Sequence, residues 1–215
     1  AAGVVPAETR LGDYYLFGIG PIRPDIDRAL GHYQTAADAG DAAAQTTLAL
    51  MYRLGRGVPR DPTKAVALMR QAADAGYHFA ELRLGQTYLD GEGFPGGADA
   101  DLGIPDVAEA ARLFRAAAEQ GNLAAALALA TLYTTDGSGL PADPGERFRW
   151  TDFAARHGRP EAIAARAFLY EQGIGTDYDP AAAAAGYVAA LETGKVSLAK
   201  LRGTVNGATP PWDRQ

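Results

Sequence analysis

The sequence predicts an all-α fold: an α/α right-handed superhelical solenoid of about five helix-turn-helix repeats, followed by a C-terminal capping helix. Three observations predict it. Alanine, the best helix former, supplies 46 of the 215 residues. A pattern of small, apolar and aromatic residues returns about every 36 residues along the chain. The 26 glycines and 13 prolines fall at fixed places within that pattern, where they punctuate short helices.

The repeats open at Ala7, Ala44, Ala80, Ala125 and Ala162. Each predicts a first helix, A, with its apolar or small residues at offsets 0, +4, +5 and +8, one face of a 3.6-residue period. The +4 and +5 pairs are Leu11-Gly12, Leu48-Ala49, Leu84-Gly85, Leu129-Ala130 and, departing from the pattern, Arg166-Ala167. Offset +8 is always tyrosine: Tyr15, Tyr52, Tyr88, Tyr133 and Tyr170. On the buried arc of helix A these rings are expected in the core. A Gly-x-Gly then stops the helix, because glycine takes the positive φ of a C-cap without a Cβ penalty.

The second helix, B, opens on an aspartate: Asp25, Asp61, Asp106, Asp143 or Asp179. Proline follows three of them, at Pro62, Pro144 and Pro180. Aspartate before proline is an N-cap with proline at the first helical position. Helix B carries an alanine (arginine at Arg147) and, four residues on, a larger residue: Tyr33, Met69, Phe114, Thr151 or Tyr187. It ends at a glycine, Gly40, Gly76, Gly121, Gly158 or Gly194. No single helix pair can bury its apolar face, whereas stacked neighbours share one core. The third unit is nine residues longer than its neighbours, an excess that falls in residues 94–105 and reads as a surface loop. The expected organisation is a solenoid over residues 1–194, a capping helix over 195–208 and a linker or tail over 209–215.

The run Ala-x3-Leu-x3-Tyr-x2-Gly-x-Gly-Val-x2-Asp, clearest from Ala44 to Asp61, resembles the Sel-one-like repeat, a relative of the tetratricopeptide repeat. The likeness extends from residue 7 to about 194. It implies an adaptor or scaffold that binds a protein or peptide, as family members commonly do. More faintly, residues 190–214 resemble the segment that follows such repeats in bacterial proteins carrying a caspase-like peptidase. That likeness implies a spacer within a larger protein.

Composition excludes several other functions. A net charge of −6 supplies no basic field for nucleic acid. No apolar run reaches the roughly 18 residues of a membrane span. Cysteine is absent, which removes thiolate metal sites and a cysteine nucleophile. Ser138 and Ser197 are the only serines, and neither lies in a nucleophile elbow. His32, His78 and His157 fall in three different repeats, with no i, i+4 pair to hold a metal. Asp99 and Asp101 lack the further ligands of a calcium loop. No catalytic residue, cofactor or metal is therefore expected, and a cell-wall hydrolase is disfavoured. The solenoid is expected to be monomeric, from a bacterium, and periplasmic or secreted rather than cytoplasmic.

Binding is expected on helix A opposite its buried arc, at offsets +2, +6 and +9. In the tetratricopeptide-like arrangement this resembles the concave wall. The candidate residues are Thr46, Leu50, Arg53, Leu82, Gln86, Leu89, Leu127, Thr131 and Phe168. Leucines on a solvent-facing wall would supply contact area, and Arg53 and Gln86 would orient a peptide. Such a wall is expected to tolerate Leu82→Asp without unfolding.

Overall fold

The computed structural model describes residues 4–90, 106–134 and 140–196. The insertion at 94–105, the Gly-x-Gly turns of the third and fourth repeats, nearly all of the expected capping helix and the 209–215 tail lie outside the described residues. Those described form ten α-helices and no strand. In order they are α1 (Val4–Phe17), α2 (Ile26–Asp38), α3 (Ala42–Leu54), α4 (Pro62–Asp74), α5 (His78–Asp90), α6 (Val107–Glu119), α7 (Leu123–Leu132), α8 (Pro144–Arg156), α9 (Pro160–Gln172) and α10 (Pro180–Glu192). Odd-numbered helices are the A helices and even-numbered ones the B helices. The chain is an all-α repeat protein, as its periodicity predicts. Two compact units are present, residues 1–120 with α1–α6 and residues 121–215 with α7–α10.

Helix boundaries follow local chemistry. All five predicted aspartates cap their B helices, each accepting a hydrogen bond from the backbone N–H three residues on at 2.9–3.0 Å. In four repeats the same aspartate's own N–H donates to the carbonyl of the repeat tyrosine: Asp25 to Tyr15, Asp61 to Tyr52, Asp106 to Tyr88 and Asp179 to Tyr170, at 2.8–3.0 Å. One residue thus starts helix B and ties it to the end of helix A. The sequence reading overlooked two further caps, Asp41 on α3 and Asn122 on α7.

Gly55 closes α3 at φ 66°, in the left-handed region, and its N–H returns to the Met51 carbonyl. The second glycine of the motif has another task. At Gly57 a Cβ would come within 2.7 Å of Ile26, at the start of the preceding repeat's helix B. Gly175 likewise lies against the backbone of Pro144, at the start of α8. The absent side chain lets each turn sit directly on the previous repeat.

The core of the first unit is built from bulky B-helix residues set into small A-helix positions. Tyr33, Met69 and Phe114 are all fully buried. A Cβ on Gly12 would come within 2.7 Å of the Tyr33 ring, and one on Gly85 within 2.6 Å of Phe114. Ala49 and Met69 share one cluster with Leu84 and Leu113. The Tyr33 hydroxyl donates to Asp13 at 2.6 Å, and in the second unit Tyr187 donates to Glu171 at 2.7 Å. Burial, reinforced by those carboxylates, holds both phenols far above their usual range.

The repeat tyrosines of helix A differ from expectation. All five are half-buried rather than core. Each lies within two residues of the end of its helix, and in the first three repeats the hydroxyl meets a cation, Arg28 donating to Tyr15 at 3.4 Å. Lys64 Nζ donates to Tyr52 at 2.7 Å and Arg70 to Tyr88 at 3.0 Å, both also lying over the rings. Arg166 also has a local explanation. Half-buried where leucine is usual, it donates to Asp152 of α8 at 3.0 Å, so an ion pair replaces apolar packing.

Glu81 on α5 is 7% exposed and accepts from Gln120 Nε2 at 2.9 Å. Burial raises its pKa, opposed by the charge of Arg112. A carboxyl raised in the folded state adds stability that is fully present below its unfolded pKa, about 4.3. That contribution is lost as pH rises through the folded value. Glu81→Gln keeps an acceptor for Gln120 and removes the titration. Its urea midpoint is expected to exceed that of the parent at pH 7 and to match it at pH 4.

Candidate functional site

The inner A helices of the first unit, α3 and α5, each pack on more than one neighbour. In the first unit α3 touches α2, α4 and α5. Its buried arc is therefore wider than one amphipathic stripe, and offset +2 falls inside it. Thr46 and Leu82 are only 6% and 7% exposed. The Thr46 hydroxyl is spent on the Ala42 carbonyl at 2.7 Å. Neither residue forms a solvent-facing wall, and the expectation that Leu82→Asp spares the fold is corrected. Ala164, at the same offset in the second unit, is buried too.

Offsets +6 and +9 of the second and third repeats remain accessible, whereas Leu16, at +9 in the first repeat, is buried. Leu50, Arg53, Gln86 and Leu89 are half-buried. Leu50 and Arg53 line a cleft of about 550 Å³ with Leu54, Arg60 and Arg83. Two leucines thus sit among three guanidinium groups in a chain of net charge −6. At the rim Arg53 pairs with Asp90 at 3.0 Å, and Arg83 donates to Gln86 at 3.1 Å. Leu54 is 70% exposed. The arrangement offers apolar contact flanked by planar donors suited to carboxylates.

Helical offsets alone missed Leu54, Arg60 and Arg83. Leu54 is the last residue of α3, one position beyond the offsets considered, and Arg60 lies in the turn that follows. Arg83 lies on an intermediate arc of α5, and its length carries it into the cleft. A legible signal was the clustering of Arg53, Arg56 and Arg60 around one Gly-x-Gly turn in an acidic sequence.

In the second unit Leu127 and Phe168 are half-buried and Thr131 is exposed. Leu127 and Thr131 line a separate cavity of about 200 Å³, with Ala130, Thr134, Arg147, Thr151 and Ala165. The Thr131 hydroxyl donates to the Leu127 carbonyl at 2.9 Å. Among the described residues no group of three or more histidine, aspartate or glutamate side chains is placed to hold a metal ion. No described helix is long and apolar enough to cross a membrane. His157 ends α8, its Nδ1 2.7 Å from the Phe153 carbonyl, a helix-terminal role.

Paired helices, glycine-stopped turns and open clefts on the A helices define a helical-repeat protein. The Sel1 repeat family matches five successive segments, residues 5–41, 42–77, 78–122, 123–158 and 160–185, and the chain belongs to that family. The matched segments reproduce the periodicity read from the sequence. A solved structure of a protective antigen from uropathogenic Escherichia coli, with an SLR fold, is similar at a TM-score of 0.79 and 29% identity. It covers 90% of this chain and 39% of the antigen. An uncharacterized protein of Neisseria meningitidis serogroup B is 34% identical over 148 residues, 69% of this chain and 28% of its own. Chitin synthase regulatory factor 3 of Schizosaccharomyces pombe is 30% identical over 203 residues, 89% of this chain and 20% of its own. The chain therefore spans less than a third of the length of these two curated relatives. The family match covers the repeats and does not extend to the fainter caspase-like likeness of residues 190–214.

Proposed function

We infer that this protein is a non-catalytic adaptor that binds an acidic, partly apolar polypeptide segment through the cleft between α3 and α5. The observation that carries the reading is the cleft's composition: Leu50 and Leu54 among Arg53, Arg60 and Arg83. Leucine side chains of a partner gain burial there, and its aspartates or glutamates meet guanidinium forks. Asp90, which pairs with Arg53 in an exposed position, is a weak competitor that an incoming carboxylate displaces at little cost. The name of the fission-yeast relative describes a regulator, in keeping with an adaptor.

Fluorescence anisotropy with a labelled peptide of alternating leucine and glutamate tests this. Binding is expected to weaken as salt rises, because the guanidinium–carboxylate attraction is screened. Arg83→Glu, an exposed change outside the core, is expected to weaken it tenfold or more. A glutamine-substituted peptide that binds equally well would remove the charge argument. Absence of any binding would favour a spacer role instead.

A further inference from the structure

The fourth repeat departs from its neighbours at two positions of one helix, and the structure brings both to the same cavity. Where the second repeat has Ala65 and Met69 on helix B, the fourth has Arg147 and Thr151. The facing A-helix position is alanine in both, Ala49 and Ala130. In the second repeat Met69 is fully buried in the cluster that contains Ala49. In the fourth, Thr151 is too short to fill the corresponding space, and a cavity of about 200 Å³ opens beside it. Arg147, in place of alanine, brings a guanidinium to its wall.

We propose that this cavity is a binding site for a carboxylate on a short alkyl stem, presented by a polypeptide side chain or by a free small organic acid. Its chemistry is divided accordingly. Leu127 and Ala130 supply an apolar side, whereas Arg147, Thr134 and Thr151 supply N–H and O–H groups. The volume is that of about six or seven water molecules at about 30 Å³ each, enough for a propionate-sized group. The planar guanidinium of Arg147 suits a carboxylate, which can accept two parallel N–H bonds from one of its edges. Thr131 is exposed while Thr151 is buried, so the cavity runs from the surface into the helix interface. The site lies wholly in the second unit and does not depend on the α3–α5 cleft.

The test is NMR titration of the full-length chain with propionate, with propionamide, and with two short peptides differing by glutamate or glutamine. Propionate is expected to shift the amides of Thr131, Thr134 and Thr151 saturably, and propionamide is not. Tighter binding of the glutamate peptide than of propionate would identify a polypeptide ligand. Equal or weaker binding of that peptide would identify a free acid. Arg147→Ala and Thr151→Met each restore the second repeat's residue, so both are expected to fold. Each should weaken propionate binding at least tenfold, and Thr151→Met should also raise the unfolding temperature by filling the cavity. The proposal is overturned if propionamide binds as well as propionate, or if both variants still bind propionate like the parent.

Discussion

Phe114→Ala is expected to destabilise the first unit by about 3–5 kcal/mol, the range for removing a large aromatic side chain from a packed core. The Phe114 ring is wholly buried and rests against Gly85 of α5, at a distance no side chain there would permit. Truncation leaves a cavity walled on one side by a glycine, which has nothing to relax into the space. Relaxation is therefore small and the cost sits high in the range. Gly85→Ala, added to Phe114→Ala, returns one methyl group to the gap and should recover part of the loss. Hydrogen exchange at the α5 and α6 amides in urea reads the effect within the unit concerned. A loss below about 1 kcal/mol would show that this ring does not hold the two helices together.

Leu82→Asp is expected to unfold the first unit, or to cost it more than about 3 kcal/mol. Leu82 is 7% exposed, and an aspartate there must be buried ionised without a partner or be held protonated. Leu54→Asp is the matching control. At 70% exposed, Leu54 should tolerate the same change within about 0.5 kcal/mol, as surface positions generally do. Urea midpoints of the two variants measure where the buried arc of the A helices ends. Equal midpoints would place Leu82 on the surface.

These two leucines also mark what was legible in the sequence. The five repeats, their helix pairs, the aspartate caps and the bulky-on-small core contacts all follow from local chemistry repeated at one period. Each therefore recurs in most of the repeats. The burial of Leu82 and Thr46 depends instead on how many neighbours an A helix touches, which no single helical wheel contains. The repeat tyrosines mislead for a related reason. In four repeats their backbone carbonyls make the recurrent contact, tied to the capping aspartates, while the side chains stay only half-buried. Only some of the candidate binding residues line a cleft in the structure. Leu50, Arg53, Leu127 and Thr131 line clefts, whereas Leu54, Arg60 and Arg83 enter theirs from the last residue of α3, from the turn after it and from an intermediate arc. Arg147 and Thr151 stood out as departures from a pattern, and only the three-dimensional arrangement shows that they share one space.

The hydrogen bond from the capping aspartate to the tyrosine carbonyl closes a loop whose length it does not sense. It joins residues nine apart at Tyr52 and Asp61 and eighteen apart at Tyr88 and Asp106, at 2.9 and 3.0 Å. Doubling a closed loop adds only about 0.6 kcal/mol of entropy cost. The third repeat is thus a natural graft point, where foreign epitopes or whole small domains can be spliced between two clamped ends while the scaffold beneath keeps its register.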